Sequence, residues 1–66
     1  MTIEIAQEED GRFIAEVVEL PGVLVYGQTR EEAIARVQVL ALRVLADRLE
    51  QGEPLPEAAQ VFAVAA

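Results

Sequence analysis

The feature that most constrains the fold is one long helix with clear start and stop signals. Residues 29–32 form a capping box, in which the Thr29 hydroxyl can accept a hydrogen bond from the backbone N–H of Glu32. The Glu32 carboxylate can reach back to the N–H of Thr29. Gly52 is a good left-handed cap and prolines follow it, so the helix should end at about residue 50 or 51. A chain of 66 residues then forms a single domain, residues 1–66, built around this helix.

The predicted helix carries two apolar stripes at about 100° per residue. The first should face a sheet and comprises Ala33, Ile34, Val37, Leu40, Ala41, Val44 and Leu45. The second lies on the far side and comprises Ala35, Val39, Leu42, Ala46 and Leu49. Its spacing alternates four and three residues, which is typical of a seam against another helix. We expect a protein–protein contact here, most simply a symmetric homodimer, although scattered apolar residues are also normal on a small domain.

Alternating segments before the helix predict strands. Residues 2–7 and 12–18 alternate apolar and polar side chains, as half-buried strands do. A two-residue loop between them would set Ile5 opposite Glu16, whereas a three-residue loop, with Gly11 in the left-handed region, sets Ile5 opposite Ala15. A slip of one residue turns every side chain to the other face, so burial favours the three-residue loop.

A turn and a last strand complete the predicted order. In the sequence Leu20-Pro21-Gly22-Val23, Pro21 presets φ for the first central position and Gly22 accepts the positive φ of the second, as a type II turn requires. A third strand follows at residues 23–26, and Gly27 begins the turn into the helix. After the helix, a connector leads to a short fourth strand at residues 60–65. The order βββαβ predicts an α+β fold in which the last strand joins the sheet by a right-handed crossover.

Composition argues against several classes of function. The net charge is −7, with five arginines, no lysine and twelve carboxylates, whereas nucleic-acid binding needs a cationic surface. An acidic surface suits a basic partner, although the charge can equally serve solubility. With no cysteine and no histidine, we expect no disulfide, no zinc site and no cofactor. No signal peptide or membrane-length apolar run is visible, so we expect a cytoplasmic protein without membrane contact.

The favoured hairpin register brings two carboxylates together. Glu4 falls opposite Glu16, on the face away from Ile3 and Ile5. Such a pair could bind a divalent metal, share a proton, face solvent or meet an arginine of a partner. The chain has no serine, cysteine, histidine or lysine, and Thr29 is explained by capping. We therefore predict no catalytic residues, no metal site and no enzyme, and we interpret Glu4 and Glu16 as partner-facing.

Three motifs follow one another along the chain with little sequence between them. They are Asp10-Gly11 followed by Phe13-Ile14-Ala15-Glu16, then Glu19-Leu20-Pro21-Gly22-Val23, and then Gly27-Gln28-Thr29-Arg30-Glu31-Glu32-Ala33. In order and spacing they resemble the amino-terminal domain of HicB-like antitoxins, with its hairpin, its Leu-Pro-Gly turn and its Gly-x-Thr-x-x-Glu-Ala helix start. The motif residues with a special backbone role are Gly11, Pro21, Gly22, Gly27, Thr29 and Glu32.

The resemblance implies a partial ribonuclease H-like fold, βββαβ, with one long helix on a four-stranded mixed sheet and the closing strand beside the first. It does not imply nuclease activity. Members of the family act as antitoxins that bind and neutralise HicA, a small basic mRNA-cleaving toxin, and an acidic chain is consistent with this role. Many members add a carboxyl-terminal DNA-binding module, which we do not expect here. The alternative is a solitary oligomeric HicB-like domain with a regulatory or ligand-binding role and no toxin.

Overall fold

A computed structural model describes residues 1–65 as a three-stranded antiparallel sheet packed against one α-helix. The elements are β1 (Ile3–Gln7), β2 (Phe13–Val17), β3 (Leu24–Gly27), α1 (Arg30–Glu50) and a 3₁₀ turn (Glu57–Ala59). The sheet order is β1-β2-β3, so β1 and β3 are the edge strands. The predicted α+β class, its first three strands and its helix are confirmed.

The β1–β2 hairpin has the register of the three-residue loop. Ile5 lies opposite Ala15. Gly11 has a φ of 91°, and its N–H donates to the carbonyl of Glu8 at 2.9 Å. This register turns Ala15 and Val17 inward, where both are buried. The predicted register is therefore confirmed, and it places the apolar side chains of β2 in the core.

The Pro-Gly turn returns the chain from β2 to β3. The Val23 N–H donates to the Leu20 carbonyl at 3.0 Å, and Gly22 occupies the second central position with a φ of 87°. These are the features of the predicted type II turn. A second bond, from the Val17 N–H to the Val23 carbonyl at 3.0 Å, closes the base of the turn. The Leu20 side chain is fully buried, so the turn also contributes to the core.

The amino end of α1 is capped largely as the sequence predicts. The Thr29 hydroxyl accepts from the Glu32 N–H at 3.0 Å. The Glu32 carboxylate, however, accepts from the N–H of Gln28 at 3.0 Å, one residue before the expected Thr29. The same carboxylate oxygen lies 3.2 Å from Nη1 of Arg36, one turn further along the helix. The reciprocal cap is therefore displaced by one residue and joined to an ion pair.

The carboxyl end of α1 closes with a Schellman motif. The Gly52 N–H donates to the Leu49 carbonyl at 3.0 Å, and the Glu53 N–H donates to the Arg48 carbonyl at 2.9 Å. The connector that follows is held against the body of the protein, because Ala59 is buried in the core.

The first helical stripe and the inner face of the sheet form one core. The buried apolar residues are Ala15, Val17, Leu20, Val23, Ala33, Val37, Ala41, Leu45 and Ala59. The other members of the stripe, Ile34, Leu40 and Val44, are half-buried. The predicted sheet-facing stripe is therefore confirmed.

The predicted fourth strand is not a strand in this structure. Residues 60–65 pair with none of the three strands. Their larger side chains face solvent, since Val61, Phe62 and Val64 are 78%, 83% and 96% exposed. Strand-forming side chains alone do not make a strand, because strand propensity reflects packing against neighbouring strands, and this segment leaves the outer edge of β1 unpaired. Within residues 1–65 the sheet is therefore three-stranded and antiparallel, not the expected four-stranded mixed sheet.

Candidate interaction surfaces

The outer face of the sheet carries the two predicted acidic residues side by side. Glu4 and Glu16 are directly paired across β1 and β2, and both are exposed. Together with Ile5, Ala6 and Ile14 they border a shallow pocket of about 180 Å³. Within residues 1–65 neither carboxylate forms an ion pair. Facing like charges are unfavourable, so a cationic partner would stabilise this pair.

Apolar side chains extend the same face toward β3. Leu24 and Tyr26 are 41% and 40% exposed and lie opposite Glu16 and Ile14 in the ladder. The Arg12 guanidinium lies 4.4 Å from the centroid of the Tyr26 ring. Sequence reasoning did not include Tyr26 or this apolar region among the candidate contact residues. The available signal was the alternation of β2, which already places Ile14 on the face opposite the core.

Two carboxylates, one exposed and one half-buried, accept backbone hydrogen bonds at the two ends of β1. Asp10 accepts from the backbone N–H of Arg12 at 3.0 Å and from its Nε at 2.7 Å, and these bonds lower the pKa of Asp10. Glu19 accepts from the backbone N–H of Thr2 at 2.7 Å and from its hydroxyl at 3.0 Å, which lowers the pKa of Glu19. The first pair braces the hairpin loop, and the second ties the start of β1 to the segment after β2.

The second helical stripe is exposed, and part of it lines a groove beside β1. Its members Ala35, Val39, Leu42, Ala46 and Leu49 all face solvent. The first three form one wall of a groove of about 620 Å³, and Met1 and Ile3 stand on the other side. Ala46 and Leu49 do not line this groove. The structure therefore divides the stripe into a groove portion and a free portion.

The groove exists because the helix is displaced from β1. The helix packs mainly on β3 and β2 and touches β1 least. Ile3 and Ile5 remain half-buried on the inner face, whereas Ala15 and Val17 of β2 are buried. Sequence reasoning did not place β1 beside the second stripe, since that neighbourhood depends on where the helix crosses the sheet.

The predicted motif residues shape the backbone rather than a binding surface. Pro21 and Gly22 form the turn, Gly11 completes the hairpin loop, and Thr29 with Glu32 caps the helix. Gly27 has a different role, because a Cβ there would lie 2.6 Å from the backbone nitrogen of Ala33. Its hydrogen side chain lets the end of β3 approach the first turn of the helix.

Comparison of the chain with protein-family models, with curated proteins and with solved structures finds no match. Among the described residues, no three acidic side chains converge as a metal-binding cluster. No helix in residues 1–65 combines the length and the apolarity that crossing a membrane requires. The two surfaces that bear on function are therefore the outer face of the sheet and the groove beside β1.

Proposed function

We propose that this chain is a HicB-like antitoxin-type protein, which binds and neutralises a small basic mRNA-cleaving toxin of the HicA type by direct protein contact. One observation carries the proposal: Glu4 and Glu16 are adjacent and exposed, and neither has an ion-pair partner within residues 1–65. A cationic partner relieves the repulsion between them and adds charge-assisted hydrogen bonds. The proposed role is binding in the cytoplasm, without catalysis and without a cofactor.

The apolar part of the same face makes it suitable for a protein partner. Leu24 and Tyr26 are exposed next to the acidic pair. Protein interfaces combine an apolar centre with polar groups around it, and tyrosine is among the residues that most often dominate their binding energy. A small ion or a solvated surface would need no such apolar neighbours.

The closing strand of the partial ribonuclease H-like fold belongs to the same proposal. In that arrangement residues 60–65 lie beside β1 and complete a four-stranded mixed sheet. The support is that β1 pairs on one side only and that Ile3 and Ile5 are left half-buried on the inner face. A strand at this edge would cover both isoleucines.

Co-expression with the product of an adjacent gene for a small basic protein tests the proposed function. We expect the two proteins to purify together and the toxin's RNA cleavage to be suppressed. Glu4→Gln combined with Glu16→Gln should weaken the complex by about tenfold or more, because charged contacts across interfaces are strongly coupled. The matched control is Glu53→Gln combined with Glu57→Gln, which removes two charges from the connector and should leave binding nearly unchanged.

The two double variants distinguish docking at the outer face of the sheet from a general effect of net charge on binding. Equal weakening by both double variants would show that only net charge matters and would exclude the outer face as the docking site. If no neighbouring protein binds and no toxicity is relieved, the antitoxin role is wrong. The second candidate, a solitary oligomeric HicB-like domain with a regulatory or ligand-binding role, would then remain. The groove beside β1 favours that candidate, because its volume of about 620 Å³ is in the range of small-molecule sites.

A further inference from the structure

We propose that the partner protein docks on the outer face of the sheet through one arginine side chain, which lies in the shallow pocket beside Glu4 and Glu16. The stem of this arginine packs on Ala6 and Ile14, and its guanidinium binds the two carboxylates. The inference rests on the proposed function, because it names the residue type by which the basic toxin is recognised at that face.

The pocket exists because a small side chain lies beside larger ones on the outer face. In the hairpin register Ala6 pairs with Ile14, and Glu4 pairs with Glu16. Alternation along each strand places all four side chains on the same face, away from the core. Ala6 is exposed and Ile14 is half-buried. The pocket therefore has an apolar floor next to two carboxylates.

The size of the pocket suits one side chain of a partner protein. Its volume is about 180 Å³, whereas sites for small molecules usually have about 300–1,000 Å³. A whole helix or strand is too wide to enter such a space. The occupant is therefore a single residue that projects from the surface of the partner.

The arginines of the same chain are engaged or lie elsewhere. The chain has five arginines and no lysine. Arg12 is bonded to Asp10 at 2.7 Å, and its guanidinium lies over the ring of Tyr26. The other four belong to α1, which packs on the inner face of the sheet, and they are Arg30, Arg36, Arg43 and Arg48. A cation that binds the outer carboxylates therefore comes from another molecule.

Two carboxylates beside an apolar floor select arginine among the possible cations. A divalent metal ion prefers a site made of oxygen ligands, and no three acidic side chains converge in the described part of the chain. The lysine ammonium is compact and strongly hydrated. The guanidinium is planar and more weakly hydrated, and its five N–H donors can bind both carboxylates at once. The methylene stem of arginine can also cover apolar surface.

The net charge favours a basic protein over a second copy of this chain as the source of the arginine. Two copies of net charge −7 repel each other. A basic protein is attracted by the same charge, which also raises the rate of association. The partner is therefore a different protein of opposite charge.

The surface around the pocket adds apolar contacts to the anchor. Leu24 and Tyr26 are exposed on β3, directly beside Glu16 and Ile14. Side chains of this kind exclude water from the centre of an interface, where arginine is among the residues that most often dominate the binding energy. The ion pair at the pocket is then less screened by solvent.

Filling the pocket without a change of charge tests the anchor. Ala6→Leu covers the floor but keeps both carboxylates, so its affinity for the toxin encoded by the adjacent gene should fall by about tenfold or more. The matched control, Ala58→Leu, makes the same change at an exposed position in the connector and should bind like the parent. Calorimetry measures the affinities, and circular dichroism checks that both variants fold. If the toxin binds Ala6→Leu as tightly as the parent, the anchor is wrong and the antitoxin role stands.

A small probe examines the pocket independently of the toxin. N-acetyl-arginine amide is added to the isotope-labelled chain, with N-acetyl-lysine amide as the matched control, and the amide chemical shifts are followed by NMR. We expect the arginine probe to shift the amides of Glu4, Ala6 and Glu16 in the parent but not in Ala6→Leu, and the lysine probe to shift them less. Equal shifts with both probes, or none with either, overturn the arginine assignment. If the arginine probe binds here and no toxin binds, the antitoxin role is wrong and the arginine site stands.

Discussion

The two edges of the sheet differ in how they are covered. Near β3, the helix packs closely, Gly27 lets the strand meet the first helical turn, and Arg36 donates to the Tyr26 carbonyl. Near β1, the helix is farther away, Ile3 is half-buried, and a groove remains open. The β3 edge is thus covered by the helix and belongs to the core, whereas the β1 edge borders an open groove.

The difference follows from the dimensions of the elements. A helix with its side chains is about 10 Å across, and neighbouring strands are about 4.8 Å apart, so one helix covers about two strands. This sheet has three strands and one α-helix. The helix lies over the two strands that are nearest to its own start, and β1 is left short of cover.

The largest loss of stability is expected at Leu20, which lies in the core between the sheet and the helix. Leu20→Ala removes a fully buried side chain and should lower the free energy of unfolding by about 2–5 kcal/mol. Leu24→Ala makes the same change at a side chain that is 41% exposed and should cost less than about 1 kcal/mol. Urea denaturation of both variants provides the comparison. Similar losses at the two leucines would show that the core is not where the structure places it.

The next largest loss of stability is expected at a glycine beside the helix, which we compare with a glycine in the β1–β2 loop. Gly27→Ala places a methyl group 2.6 Å from the Ala33 nitrogen and should cost about 1–3 kcal/mol, because backbone must move. Gly11→Ala meets no atom within 4 Å but has a φ of 91°, so it should cost about 1–2 kcal/mol through strain alone. Thermal unfolding measures both. Only Gly27→Ala should also alter the amide chemical shifts of the first helical turn, and unchanged shifts there would contradict the close approach.

A smaller effect is expected at the helix start. Thr29→Ala removes the acceptor for the Glu32 N–H, which lies 3.0 Å from the hydroxyl, and should cost about 1 kcal/mol. Thr29→Ser keeps the hydroxyl and should retain nearly all of the stability. The free energy of unfolding in urea distinguishes the two variants. Equal losses in alanine and serine would mean that the methyl group, not the cap, supplies the stabilisation.

The smallest change in stability is expected near the less covered strand β1, where Glu19 accepts a hydrogen bond from Thr2. The backbone N–H of Thr2 lowers the pKa of Glu19 in the folded protein, so this bond stabilises the fold above the ordinary carboxyl pKa of about 4.3. The stabilisation is lost as the pH falls through the lowered folded value. Glu19→Gln should therefore reduce the slope of unfolding free energy against pH in acid.

A variant at the other end of the same contact is the control. Thr2→Val removes the hydroxyl bond but keeps the backbone N–H, which is the main cause of the lowered pKa of Glu19. It should keep most of the acid slope. If the parent and Glu19→Gln have the same slope, the bond to Thr2 does not contribute to acid stability.

Much of the fold was predictable because its signals act over a few residues. The hairpin register follows from Gly11 and the alternation around it, the turn from Pro21 and Gly22, and the helix start from Thr29. The displaced contact of Glu32 shows the limit of this reasoning, because a flexible carboxylate can choose between neighbouring N–H groups at similar distances. The acidic neighbours on the outer face followed from the register alone.

The surfaces beside β1 were less predictable because they depend on distant parts of the chain. The second helical stripe was predicted to be a protein–protein contact, and its division into a groove portion with Val39 and Leu42 and a free portion with Leu49 depends on the helix position. The fourth strand was predicted from the apolar residues 60–65, whose strand propensity does not decide whether the segment pairs with the open edge of β1.

Local sequence alone determined which segments become strands, turns and helix, since backbone conformation and capping depend on side chains a few residues apart. It also determined which helical face is apolar enough to meet a sheet. Only the tertiary structure decided that the helix would lie over β2 and β3 and leave β1 open. That outcome depends on the widths of packed elements and on close approaches such as that of Gly27 to Ala33, which arise only when distant segments compete for the same space.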